Sequence, residues 1–324
     1  MSRVLVTGAM GQDGTLLCRR LVAEGAQVHG LSLSGERHRA WADPDLGEVR
    51  LHVADLADAD RVREVVEEVA PDEVYNLAGQ TSVASSWADP VGTVRATGLG
   101  AVVVFDAALG IQESRGIPVR VLQASSAEIF GSATETPQTE RTAIAPVSPY
   151  GAAKALAHHL AQTYRSRGLA VATCILYNHE SPLRPETFVT RKITSGAARI
   201  AAHGGEPLRL GNLDATRDWG WAEDYVDAMV RACRHDEADE FVVATGRTHT
   251  VADFVRAAFA RAGIGDWERH VEVDPAFVRP VDATVQVGDA AKAARILGWR
   301  PTMGFDEIVG RMVDHDLALA REVV

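Results

Sequence analysis

Three glycines spaced GxxGxxG constrain this chain more than any other feature. Gly8, Gly11 and Gly14 stand between an apolar run, Val4-Leu5-Val6, and a helical pattern. A strand that turns this tightly into a helix gathers unpaired amides and a partial positive charge at one point, where a pyrophosphate can bind. Gly8 suits the turn, Gly11 the close approach of backbone to phosphate, and Gly14 the contact of helix with strand. The turn residues Gly8, Gly11, Gln12, Asp13 and Gly14 are therefore expected to hold a dinucleotide. A bland glycine turn would not need the strand before it and the helix after it.

The alternation continues down the chain. Strands are expected at 3–6, 27–33, 49–53, 73–77, 119–124 and 170–176, with helices at 15–24, 59–69, 93–113 and 149–167. This order implies right-handed crossovers and an α/β fold with a doubly wound parallel (Rossmann) sheet. Beyond about residue 177, Pro182, Pro185, Pro207, Gly211 and Gly220 break the pattern, and further helices are expected at 251–262 and 305–322. The expected organisation is a dinucleotide-binding domain over 1–177, with a returning segment at about 221–247. A smaller, mixed C-terminal substrate-binding domain would comprise 178–220 and 248–324. At the strand ends, Asp55-Leu56 suits an adenine amino group, and Leu77-Ala78 lets the backbone pass close to a nicotinamide ribose.

Bulk properties narrow the partners. A net charge of -11 argues against nucleic acid or an anionic membrane, both of which demand a basic footprint. Cys18, Cys174 and Cys233 form no CxxC pair, which fits reduced thiols in the cytoplasm. The first residues run straight into a strand, so no signal peptide is expected, and no apolar stretch is expected to reach membrane-spanning length. His179-Glu180 lacks the HExxH spacing, so no metal site is expected, only a polar turn.

The chemistry centres on two strings. Ser148-Pro149-Tyr150-Gly151-Ala152-Ala153-Lys154 puts Tyr150 and Lys154 at i and i+4, on one helix face. An ammonium there lowers the phenol pKa and holds a cofactor ribose, and the phenolate moves a hydroxyl proton during hydride transfer. At the end of the fifth strand lie Ser126 and Glu128. Ser126 can polarise a sugar hydroxyl. Glu128 sets this chain apart from a simple reductase, because eliminating water needs an acid–base group beside the neighbouring carbons. Capping a turn is its structural alternative.

With these motifs in place, the sequence resembles the GDP-mannose 4,6-dehydratases of the extended short-chain dehydrogenase/reductase superfamily. The likeness covers nearly the whole chain. It includes Pro71-Asp72-Glu73-Val74-Tyr75-Asn76-Leu77-Ala78, Asn178-His179-Glu180-Ser181-Pro182 and the run from Glu186 to Ile193. Gly211-Asn212-Leu213-Asp214, Arg217-Asp218-Trp219-Gly220, Asp224-Tyr225-Val226 and Leu297-Gly298-Trp299 extend it. The resemblance implies a redox-neutral cycle on GDP-mannose or a similar nucleotide sugar. Tyr150 would take the 4-hydroxyl proton, and Glu128 would take the C5 proton and help expel the C6 hydroxyl. It also implies that Asn178, Val189, Lys192, Arg217 and Arg279 hold the substrate, with Asp282 near the nucleoside.

The chain departs from the family in four places. Leu33-Ser34 replace a basic pair that grips the adenosine 2'-phosphate, leaving that contact to Arg37 or Arg39. NADP is the expected cofactor, with NAD left open. A homodimer through two helices per subunit is the expected assembly, with a tetramer left open. Ser126 stands for a Thr, Leu183 and Pro185 for an Arg and a Gly, and Asp282 for a Glu. A sugar-nucleotide reductase or epimerase, a dehydratase for another nucleotide sugar, and a non-catalytic dinucleotide sensor are the competing readings. The first lacks need of Glu128, and the last lacks need of Tyr150 and Lys154.

Overall fold

The computed structural model of the chain describes residues 1–36, 41, 43–277 and 285–322. Its first six strands are β1 (Arg3–Thr7), β2 (Gln27–Ser32), β3 (Arg50–Val53), β4 (Glu73–Asn76), β5 (Arg120–Ser126) and β6 (Ala170–Leu176). Four short strands lie outside this sheet: β7 (Asn178–Glu180), β8 (Leu208–Leu210), β9 (Thr216–Arg217) and β10 (Trp219–Trp221). The chain then returns as β11 (Glu240–Val243), which pairs with β6. The resulting sheet is parallel throughout, in the order β11-β6-β5-β4-β1-β2-β3. Strand order reverses between β1 and β4, so their carboxyl ends open the crevice where doubly wound sheets bind ligands.

Helices cover both faces. They are α1 (Gln12–Ala23), α2 (Ala59–Val69), α3 (Val83–Ala88), α4 (Pro90–Thr93), α5 (Gly100–Arg115), α6 (Pro149–Ser166), α7 (Val189–His203) and α8 (Ala222–Arg234). The pleat of β1 shows why: Val4 and Val6 enter the core shared with α1 and α8, while Leu5 enters the one shared with α2, α5 and α6.

One expectation is corrected. The helix expected at 93–113 runs from Pro90 to Arg115, 26 residues, because a π-helical segment (Val94–Leu99) joins α4 to α5. By length and composition alone this helix could cross a membrane, contrary to the sequence reading. Half of its apolar window is buried. Val104, Phe105 and Ala108 pack in the same core as Val62 and Val66 of α2 and Ala157 of α6, which accounts for an apolar composition in a core helix.

A third apolar cluster holds the C-terminal elements. The remaining strands are β12 (His249–Thr250), β13 (Val271–Val273) and β14 (Val285–Gln286), and the remaining helices α9 (Val251–Arg261), α10 (Ala291–Ile296) and α11 (Phe305–Glu322). Ile193 and Ala197 of α7, Phe254 and Phe259 of α9, and Ile308 and Met312 of α11 meet there, capped by Trp219 and Trp221. Arg191 pins α7 to α11: its Nε donates to both carboxylate oxygens of Asp316 at 3.0 Å, and its Nη1 to the Pro182 carbonyl at 2.8 Å. The loop that follows β7 is thereby fixed from within.

Candidate active site

The glycine turn is built as tightly as its spacing implies. Gly8 has φ +67°, and a Cβ there would lie 2.9 Å from the Ala78 amide nitrogen. A Cβ on Gly14 would lie 2.2 Å from the Gly8 carbonyl oxygen. Turn, helix and β4 end therefore meet with no room for side chains. Gly11 caps α1 without any side-chain bond, leaving the first-turn amides for a ligand. This cradle fits a dinucleotide pyrophosphate.

Behind it runs a polar chain that the sequence did not reveal. Thr7 Oγ1 donates to Asn76 Oδ1 at 2.7 Å and accepts from the Leu77 and Ala78 amides, both at 3.1 Å. Asn76 Nδ2 in turn donates to Gln123 Oε1 at 2.7 Å. The chain rigidifies the ends of β1, β4 and β5. Asp55 is exposed and its carboxylate accepts from the Ala57 amide, while Leu56 is buried beneath Gly100, so its contribution to a ligand is through backbone.

The four expected catalytic residues converge where β5 ends and α6 begins. Ser126 caps a 3-10 turn (Ala127–Phe130), its hydroxyl accepting from the Glu128 amide at 3.3 Å. A Cβ on Gly151 would lie 2.6 Å from the Glu128 carbonyl, so the start of α6 sits hard against that turn. Ser148 caps α6 and Pro149 occupies its first turn. The Tyr150 amide donates to Ser86 Oγ at 3.2 Å. Lys154 Nζ lies 5.9 Å from the Tyr150 ring centre and donates to the Ala124 carbonyl at 2.8 Å.

Burial sets the electrostatics. It pushes the Tyr150 phenol up to about 12, against the pull of a hydrogen bond to Ser126; Glu128 raises it further and Arg184 opposes. Burial lowers the Lys154 ammonium to about 8, and Asp13 resists this. The ammonium was expected to lower the phenol; instead burial prevails and the phenol is raised.

His179 has a role beyond the expected polar turn. Its Nε2 meets Asp13 Oδ2 at 2.9 Å, and its ring stacks on Tyr225 at 4.5 Å. Gln12 Nε2 donates to the His179 carbonyl at 3.1 Å, and Ser181 Oγ donates to Gln12 Oε1 at 2.8 Å. The side chains of Gln12 and Asp13 are thus turned to the β7 segment and tie it to the glycine turn. Burial works against both charges, yet the mutual attraction outweighs it: the Asp13 carboxyl is lowered and the His179 imidazole raised.

A pH dependence follows from those directions. The His179 contribution is full below its unfolded value and fades as pH rises through its raised folded value. The Asp13 contribution fades only as pH falls through its depressed one. Thermal unfolding should therefore show His179→Gln destabilised by about 2 kcal/mol near pH ~6. The gap to the wild type should narrow by pH ~9. An equal gap at both pH values would contradict the ion pair.

The described members of the expected substrate set lie on β7, α7 and β9, outside the seven-stranded sheet. Asn178, on β7, is half-buried opposite Trp219 of β10. Val189 opens α7 and is exposed, and Lys192, one turn on, holds its Nζ 3.8 Å from the Phe277 ring centre. Burial lowers that ammonium, opposed by Asp274. Arg217 is buried on β9, its Nη1 donating to the Thr216 carbonyl at 2.9 Å. Arg37, Arg279 and Asp282 lie outside the described residues. Arg184 was not anticipated. Its guanidinium lies 3.8 Å from the Phe188 ring centre, and its Nε 3.4 Å from Glu180.

Comparison with known proteins supplies the family. A family model described as GDP-mannose 4,6 dehydratase matches residues 5–312. GDP-mannose 4,6 dehydratase 1 of Arabidopsis thaliana is 42% identical over 327 residues, covering 98% of this chain and 90% of that protein. The Homo sapiens GDP-mannose 4,6 dehydratase is 37% identical over 345 residues, covering 98% and 92%. Among solved structures, UDP-glucose 4-epimerase of Thermus thermophilus in complex with NAD superimposes with a TM-score of 0.83 at 28% identity, covering 97% and 98%.

Proposed function

The chain belongs to the GDP-mannose 4,6-dehydratase family, and on that premise we propose that it converts GDP-mannose to GDP-4-keto-6-deoxymannose. The observation that carries this reading is Glu128, held by Ser126 in the turn against which Tyr150 and its helix pack. An alcohol oxidation needs the hydroxyl, phenol and ammonium. Only an elimination also needs the carboxylate.

The steps follow from the residues. Ser126 and Tyr150 hold the C4 hydroxyl, and Tyr150 accepts its proton. The glycine turn and Lys154 would hold an oxidised nicotinamide dinucleotide, which would supply a positive charge beside the phenol and a reversible hydride acceptor for C4 and C6. Lys154, buried beside the phenol, favours the phenolate by Coulomb attraction and orients the ribose. The C4 carbonyl acidifies C5, whose proton Glu128 removes. Electrons of the C5–H bond form the C5–C6 double bond as the C6–O bond breaks, and Glu128 delivers its proton to the departing oxygen as water. Once hydride is restored at C6, C5 takes a proton that comes from solvent and Tyr150 gives up the one it accepted.

On the substrate side, Lys192 and Arg217 are assigned to the diphosphate, where a cation pair suits its oxygens, with Asn178 and Val189 beside the nucleotide. NADP is the proposed cofactor, since Ser32, Leu33 and Ser34 at the end of β2 offer no carboxylate to a ribose 2'-hydroxyl. We assign the reaction to the cytoplasm, which suits three buried free thiols. A homodimer through α5 and α6 is the proposed assembly; exposed Val91 and Leu99 lie on the α4 and π-helical turns that lead into α5.

Purified protein given GDP-mannose and catalytic NADP should release a nucleotide sugar lighter by one water, with no net reduced cofactor. Unchanged GDP-mannose, or stoichiometric cofactor reduction, would overturn the reading.

A further inference from the structure

We infer that Gln286 is a positioning residue for the Glu128 carboxylate, delivered to it by the substrate-side strand β14. The inference rests on the dehydratase reading above. Gln286 is 4% exposed, and its Nε2 donates to Glu128 Oε1 at 3.4 Å across 158 residues of sequence. That bond is long, as catalytic hydrogen bonds often are before substrate tightens them.

The backbone at and after Gln286 is held by several contacts. In the parallel pairing of β14 with β9, Gln286 stands opposite Arg217. Gln138 then clamps the next residues: its Oε1 accepts from the Val287 amide at 3.0 Å, and its own amide donates to the Val287 carbonyl at 2.8 Å. The Asp289 amide donates to the Gln138 carbonyl at 2.8 Å, and the Tyr177 hydroxyl to Gln138 Oε1 at the same distance. The Gly288 amide reaches Asp218 Oδ2 at 3.4 Å, and a Cβ on Gly288 would lie 2.6 Å from Tyr177 Cε2. A glutamine that only filled space would not need this framing, and a buried amide requires a partner.

An amide suits a group that must work as base and then as acid. Its NH2 donates to the ionised carboxylate, and its oxygen accepts from the protonated one, so it holds Glu128 in both states. A Lys or Arg in its place would favour the ionised state and resist the first half of the transfer. Because Arg217 and Gln286 are register partners, seating the nucleotide on β9 also sets the orientation of the carboxylate.

The test compares wild type with Gln286→Leu and Gln286→Met, which keep bulk and remove the amide. Either variant should lose about ten- to a hundredfold in kcat, with KM within about twofold. Solvent deuterium should enter C5 more slowly in proportion, while dihydronicotinamide absorbance, formed by the untouched C4 oxidation, should accumulate in the first turnover. Unchanged kcat in either folded variant overturns the inference. So does a loss in which oxidation and elimination slow together with raised KM, the mark of a structural role. Failure of the wild type to dehydrate GDP-mannose would instead overturn the proposed function.

Discussion

Glu128→Gln should lose dehydration by about a hundred- to ten-thousandfold while binding the nucleotide sugar as the wild type does. Gln preserves the volume and can still pair with its neighbours, but it cannot take up a proton. The backbone around it should not shift, since Ser126 holds its amide and Gly151 packs against its carbonyl. Oxidation at C4 depends on Tyr150 and Lys154, so it should proceed. Stopped-flow absorbance should therefore rise as one equivalent of dihydronicotinamide forms and then persist, because elimination no longer follows. Near-normal turnover in Glu128→Gln would remove the carboxylate from the mechanism.

Tyr150→Phe should be as slow, by about a hundred- to ten-thousandfold, but should stop at a different point. Without the phenol the C4 hydroxyl has no proton acceptor, so no dihydronicotinamide should appear and no solvent deuterium should enter C5. The ring is 8% exposed and remains packed, and the bond to Ser86 comes from the backbone amide, so the fold should persist. The lost hydroxyl should cost about 1 kcal/mol in thermal unfolding. An absorbance burst in Tyr150→Phe would contradict the assigned role. The two variants together place oxidation before elimination.

What the sequence disclosed and what it hid divide along a physical line. Local chemistry was legible: the glycine turn, the Tyr150–Lys154 spacing and the Ser126–Glu128 string each need fixed offsets along a short segment. Groups assembled by register were not. Thr7 meets Asn76 across 69 residues, and Asn76 meets Gln123 across 47, because parallel strands align them. Gln286 reaches Glu128 across 158 residues from a strand of a different sheet, so no local pattern could join them.

Other gaps have local causes. The four residues of β11 follow the charged stretch Arg234-His235-Asp236-Glu237, which masks a short buried strand. A π-helical segment leaves no mark in periodicity, so the helix from Pro90 was read too short. Family strings also fail to separate ligand contact from scaffold. The Trp299 indole donates to the Asp224 carbonyl at 2.7 Å, and Thr302 Oγ1 donates to the Asp224 carboxylate at 2.7 Å. Those two strings hold the C-terminal segment to α8.

The measurement that bears most directly on the central claim follows a label through the reaction. GDP-mannose deuterated at C4 is incubated with the protein, and the product is examined by NMR and mass spectrometry. The product should be a 4-keto-6-deoxy sugar, lighter by one water, with the deuterium now at C6 of the same molecule. Label found in free cofactor or solvent, or retained at C4 of an otherwise unchanged sugar, would contradict it.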